Sequence, residues 1–223
     1  MERLDPDIPR EDVKKQLGYQ AQTVSNPKIE ELLTAEIKEA KKIVQPRGNY
    51  LRLDKIKIDN NRVTLGTKDL VFNSQDAAEL LVNQEQVVLL AVTLGPKLEA
   101  RIDKLFSQDE LTKATILDAV GSIAIEETAN QLQTKIATEA KEIGLPSLTM
   151  RYSPGYGDLK LAIQPKILDL LSGSELGIKT NDSFLLIPQK SITALIGLGQ
   201  KKNKAQPKCD FNCHDCDYDT CLY

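Results

Sequence analysis

Apolar positions recur along the chain at two different periods, and the changes of period mark its elements. From Ile29 to Val44 the residues Ile29, Leu32, Leu33, Ile37, Ala40, Ile43 and Val44 keep a 3.6-residue stripe. That spacing predicts an amphipathic helix, opened by Asn26-Pro27 and ended by Pro46 and Gly48. A shorter helix is expected from Pro9 to Tyr19, with Asp12, Val13, Gln16 and Leu17 suitably spaced and Gly18 stopping it. The longest periodic run is Asp109 to Ile143, with Leu117, Val120, Ala124, Thr128, Leu132 and Ile136 on one face. A second, weaker face carries Ile116, Ile123, Glu126 or Glu127, and Asn130, so an acid lies where an apolar stripe turns polar.

Between these helices the period falls to two. Leu51, Leu53, Ile56 and Ile58, then Val63 and Leu65, alternate across Tyr50 to Phe72, and Asn60-Asn61 is placed to turn an antiparallel hairpin. Ser74 can cap a helix running through Val82, Val87 to Thr93 suits a buried central strand, and Gly95-Pro96 opens a helix to Phe106. Ser147 to Tyr152 reads as a strand, Gln164 to Leu171 as a short helix, and Phe184 to Ile187 and Ile192 to Leu198 as strands flanking an edge or bulge at Pro188. Helices grouped around antiparallel strands, without regular strand-helix alternation, make the expected fold class α+β. A folded part over residues 1–200 is expected, followed by a lysine-bearing linker and a cysteine-rich tail over 201–223; no internal repeat is found.

Composition narrows the function. Hydrophobic residues at 41% can build a core, but aromatics at 4% and the lack of tryptophan make that core aliphatic and leave no stacking platform for single-stranded nucleic acid. With 29 basic against 32 acidic side chains, the chain also lacks the basic face of a nucleic-acid binder. No apolar run approaches membrane-spanning length, and the N-terminus is acidic and proline-bearing. All four cysteines lie at or after residue 209, whereas a disulfide framework would spread them over the fold. These features lead to the expectation of a cytoplasmic protein that binds neither nucleic acid nor membrane. The single histidine, His214, lies in the tail, which excludes a histidine-centred hydrolase in the fold itself.

Two places in the folded part could carry chemistry. The first is Arg151-Tyr152-Ser153-Pro154-Gly155-Tyr156, an R-x-x-x-G-Y pattern leaving a predicted strand. Its arginine can pair bidentately with a carboxylate, Gly155 lets backbone amides approach a ligand, and Tyr156 offers a ring face and a hydroxyl, a set suited to a zwitterion. Ordinary turn chemistry accounts for the same glycines and proline with a surface arginine beside them. The second is Glu126, which could hold a ligand ammonium or hydroxyls, although an acid on a long amphipathic helix is usually solvated.

Arg151 to Asp158, read with Thr180-Asn181-Asp182-Ser183-Phe184 and with Pro188 to Gly197, resembles the reactivation domain of cobalamin-dependent methionine synthase, roughly over residues 8–198. Thr93-Leu94-Gly95 and Asp118 to Ser122 resemble weaker elements of the same family. The resemblance implies a curved antiparallel sheet with flanking helices and S-adenosylmethionine bound in a shallow groove. It implies docking over a partner's corrinoid (cobalamin) whose cobalt has been oxidised to cob(II). An electron-donor protein reduces that cobalt to cob(I), which the bound sulfonium then methylates. By resemblance Arg151, Gly155 and Tyr156 occupy the motif's fixed positions, Ser153 lies where backbone meets the adenosyl portion, and Glu126 matches the helix glutamate. One departure stands out: an N-terminal aspartate of the full-length enzymes falls at Gly18 here. Homocysteine, folate and cobalamin domains are absent from these residues, so the expectation is an accessory chain that acts on a corrinoid protein supplied in trans.

The tail reads independently of that resemblance. Cys209-x3-Cys213-x2-Cys216-x4-Cys221 brings four soft ligands together, able to wrap a tetrahedral zinc or furnish thiolates to an iron-sulfur cluster; free thiols or adventitious disulfides are the bland alternative. The first three share the spacing of radical S-adenosylmethionine enzymes, but that motif belongs early in a βα barrel. A cluster here could relay an electron to the corrinoid. A redox or metal carrier acting through the tail, and an interaction module without ligand, are the rival functions.

Overall fold

The computed structural model describes residues 1–20, 26–54, 56–67 and 69–200. In chain order they form β1 (Glu2–Arg3), α1 (Arg10–Gln16), α2 (Pro27–Ile43), β2 (Arg47–Leu53), β3 (Ile56–Asp59), β4 (Arg62–Leu65), β5 (Leu70–Asn73) and α3 (Gln75–Leu81). Then come β6 (Gln86–Thr93), α4 (Lys97–Ser107), α5 (Leu111–Glu142), β7 (Ser147–Leu148), a 3₁₀ turn (Leu161–Ile163), α6 (Gln164–Leu170) and α7 (Gly173–Leu176). The last strands are β8 (Lys179–Thr180), β9 (Leu186–Ile187) and β10 (Ser191–Gly199). The fold is α+β, a curved antiparallel sheet in the order β1-β2-β6-β10-β7 with flanking helices, a three-stranded sheet β3-β4-β5 and a small pair β8-β9. The described residues cluster into two compact units interleaved in sequence.

The first unit comprises Met1–Tyr50, Leu90–Lys135 and Gln164–Thr193. Asn26 caps α2 by accepting from the Lys28 amide, and Leu33 and Ala40 of that helix are fully buried. The α5 face expected to be apolar is the buried one: Leu117, Val120, Ala124, Thr128 and Leu132 are all solvent-free, and the Thr128 hydroxyl is satisfied by donating to the Ala124 carbonyl at 2.6 Å. At Gly48 a Cβ would lie 2.8 Å from Val92 Cγ1 and 2.9 Å from Leu132 Cδ2, so only glycine lets β2 pack this closely. Glu36 is buried on α2 with its Oε2 unbonded, and burial pushes its carboxyl above the ordinary range.

The second unit comprises Leu51–Leu89, Ile136–Ile163 and the chain from Ala194 on. Here β3 and β4 form the expected hairpin, with Asp59 opposite Arg62 and Asn60 in the left-handed region at φ 54°; β5 extends it, with Leu65 opposite Leu70. Ser74 caps α3 by accepting from the Ala77 amide at 3.0 Å.

The segment expected as a strand from Ser147 to Tyr152 is interrupted. Ser147 and Leu148 pair with Gly199 and Leu198, and Tyr152 rejoins β10 opposite Leu195. Between them the Thr149 hydroxyl, not a main-chain carbonyl, accepts the Gly197 amide at 2.8 Å, while the Thr149 amide donates to Gly197 at 2.9 Å. A side chain thus takes a rung of the ladder and the regular register lapses. Pro188 separates β9 from β10 across a cis Ile187–Pro188 peptide. Gly18 follows α1 at φ 84°, its amide donating to the Lys15 carbonyl, which accounts for a glycine there by helix termination. Residues 201–223, including the whole cysteine motif, lie outside the described residues.

Candidate functional site

Four of the five residues singled out in the folded part share one loop of the second unit. After Tyr152, whose amide and carbonyl bond to Leu195 at 2.9 Å each way, the chain turns sharply. The Tyr156 amide donates to the Ser153 carbonyl at 3.1 Å, the Gly155 amide to the Leu159 carbonyl at 2.7 Å, and the Leu159 amide to the Tyr156 carbonyl at 2.9 Å. Gly155 sits at φ 100° and Gly157 at φ 49°, conformations that side-chain-bearing residues rarely adopt. Arg151, Ser153 and Tyr156 are half-buried and Gly155 is exposed.

Residues not anticipated from sequence hold this loop. The Tyr152 hydroxyl lies 3.1 Å from both Asp76 Oδ2 and the Tyr156 carbonyl oxygen, and its proton is shared between them. Asp76 Oδ2 also accepts the Asp158 amide at 3.2 Å. Asp158 in turn accepts from the Ser74 hydroxyl and from the Gln75 amide, the latter at 2.6 Å. Burial first, then the Asp76 carboxylate, pushes the Tyr152 phenol well above its ordinary value, so it remains a donor at neutral pH. The Ser74 hydrogen bond, followed by backbone amides, holds the Asp158 carboxyl below the usual carboxylate range. The Tyr152 and Tyr156 rings meet edge to face with centroids 6.2 Å apart. The sequence signal present was Ser74 as a cap; nothing local marked Asp76 as a partner of Tyr152 and of a loop some eighty positions away.

Glu126 is exposed on α5 in the first unit, and the neighbouring Glu127 accepts from Asn130 at 3.0 Å. The first unit also holds an open cleft of about 850 Å³ beside α6 and α7, lined by Pro96, Leu168, Ile178, Ile187 and Pro188 with Asp169 and Lys179 among its polar groups. Among the described residues no cluster of histidine, cysteine or carboxylate side chains is placed to hold a metal, and no helix is long and apolar enough to cross a membrane. Cys209, Cys213, Cys216 and Cys221 lie outside them.

No family model matches the sequence. No curated protein matches it either. Among solved structures, a chain described as the MetH reactivation domain bound to AdoHcy is similar, with a TM-score of 0.60 and 14% sequence identity, covering 84% of this chain and 74% of that one. At that identity the likeness establishes a shared fold.

Proposed function

We propose that this chain binds S-adenosylmethionine on the Arg151–Asp158 loop and presents its methyl group to the corrinoid of a partner methyltransferase, methionine synthase or a relative, during reductive reactivation. The observation that carries the reading is the fixed, glycine-dependent shape of the R-x-x-x-G-Y loop, on a fold shared with a reactivation domain. The neighbour's AdoHcy is the demethylated form of the proposed ligand, the species that would remain on the loop after transfer.

In this reading Arg151 pairs with the ligand carboxylate, the backbone at Ser153 meets the adenosyl portion, Gly155 permits close approach, and Tyr156 lays its ring against the nucleoside. None of these groups moves a proton; their contribution is to hold the sulfonium methyl in line with its acceptor. The methyl leaves sulfur as a cation-equivalent, and the electron pair for the new bond comes from the partner's cobalt after one-electron reduction by a donor protein. Calorimetry with S-adenosylmethionine and S-adenosylhomocysteine tests the reading. Wild type is expected to bind both, and Arg151→Ala to weaken binding by at least about tenfold, the usual range for losing a charged hydrogen bond. A wild-type protein that binds neither ends the proposal.

The tail adds a second component to the same reading. Four thiolates match the donor set of tetrahedral zinc or of an iron-sulfur cluster, and a cluster would offer an electron relay to the corrinoid. Metal and sulfide analysis of protein purified without oxygen is expected to give bound metal that is lost when all four cysteines become serine. One equivalent of zinc alone excludes the relay, and no bound metal excludes the site.

A further inference from the structure

One carboxylate on another element ties the Arg151 loop to the rest of its unit at two points. Asp76, in the first turn of α3, accepts from the Tyr152 hydroxyl at 3.1 Å and from the Asp158 amide at 3.2 Å through a single oxygen, Oδ2. Those two donors bracket Ser153–Gly157, the stretch that would meet the ligand. Tyr152 also reaches the Tyr156 carbonyl at 3.1 Å, so its hydroxyl joins the α3 carboxylate to the middle of the loop. The approach is close: a Cβ at Gly157 would sit 2.0 Å from Asp76 Oδ2 and 2.6 Å from the Tyr152 hydroxyl, so a side chain there would push both tips aside. Capping does not require this arrangement, because Ser74 and Asp158 already occupy the start of α3.

We propose that Asp76 and Tyr152 are positioning residues for the nucleoside site. Asp76 fixes the two ends of the loop through one oxygen, Tyr152 transmits that restraint to the Tyr156 carbonyl, and the ligand meets a surface already in its bound shape. The two tyrosines of the motif thereby divide the work: the Tyr152 hydroxyl is committed to holding the loop, and Tyr156 contacts the ligand. The inference rests on the reading of this loop as the S-adenosylmethionine site. A loop ordered before binding loses less entropy when the ligand arrives, so the restraint contributes to affinity without touching the ligand.

The test uses the full chain, with S-adenosylhomocysteine as the probe in calorimetry and a thermal midpoint recorded for each protein. Asp76→Ala is expected to weaken binding about tenfold and Tyr152→Phe about fivefold, the scale of lost preorganisation. Asp76→Asn keeps an oxygen acceptor at the Oδ2 position, so it is expected to stay within about threefold of wild type. Tyr152→Phe keeps the ring and removes only the hydroxyl, so a loss of affinity in that variant without a matching fall in its thermal midpoint is the result a general packing role would not give. If Asp76→Ala does not fold, Tyr152→Phe against Asp76→Asn carries the same contrast. Variants that all bind as wild type, while Arg151→Ala fails, overturn this inference and leave the ligand site standing. Asp76→Asn as weak as Asp76→Ala overturns the assignment of the acceptor oxygen and with it the proposal. A wild-type chain that binds no nucleoside overturns both readings together.

Discussion

The Arg151–Asp158 loop and the Asn181–Leu185 turn are both irregular, and both carry residues that resemble one family's motifs, yet they are held by different means. The first is tied from outside: Asp76 and Ser74 come from the α3 region and Leu195 from β10. The second is tied largely from within. Asn181 Oδ1 accepts the Ser183 and Leu185 amides at 3.0 and 2.9 Å, and its own amide donates to the Leu185 carbonyl, with Gln164 reaching the Phe184 carbonyl from α6. Internal ties fix a shape but leave its tip outside the core, and Phe184, Leu185 and Ile187 remain exposed. External ties fix a shape and also its place on the scaffold. A site that must hold a small ligand in one geometry needs the second kind.

The largest test of this difference exchanges glycine and side chain at the left-handed positions of the two segments. Gly157→Ala adds a Cβ into the Asp76–Tyr152 contact at φ 49°. The left-handed conformation alone costs an alanine about 1–2 kcal/mol, and the clash must displace the exposed Tyr152–Asp76 hydrogen bond as well, for a total of about 2–3 kcal/mol. The thermal midpoint is expected to fall by roughly 4–12 °C in a chain of this size. Phe184→Gly performs the reverse change at φ 62°. Relief of strain there is offset by the greater freedom of glycine in the unfolded chain, so the net effect is expected to stay within about 1 kcal/mol. Equal losses in the two variants would show that the turn is held from outside as firmly as the loop.

The same distinction decides what the sequence revealed. Helix α2 with its Asn26 cap, the buried face of α5, the Asn60 hairpin and the Ser74 cap all depend on residues a few positions apart, and the periodicity located each of them. The R-x-x-x-G-Y loop was visible as a composition. Its anchoring was not, because Tyr152 and Asp76 lie 76 positions apart and neither looks unusual in its own segment. The Thr149 interruption escaped for a related reason: Ser147 to Tyr152 has the content of a strand, and only the Gly197 amide 48 positions away makes the threonine hydroxyl an acceptor in the ladder. Helix α7 and strand β8 are four and two residues long, too short to show any period.

A smaller effect, with a defined pH signature, separates the charge on the loop's far end from its shape. Asp158 accepts from Ser74 and from the Gln75 amide, and those bonds hold its carboxyl below the ordinary range in the folded chain. A depressed carboxyl contributes stability that is present above its unfolded value and is lost as pH falls through the folded one. Asp158→Asn resembles the protonated acid at every pH. At neutral pH the variant is therefore expected to be less stable than wild type by about 1 kcal/mol, the usual scale for a capping interaction. As pH falls past the ordinary carboxylate value of about 4, the unfolded chain takes up this proton before the folded one does, so the wild-type advantage should shrink. Urea unfolding of both proteins across pH 3–7 measures the difference directly. A gap that stays constant over that range would mean that shape, and not charge, is what Asp158 supplies to the loop, as an acceptor oxygen is what Asp76 supplies between α3 and the proposed ligand site.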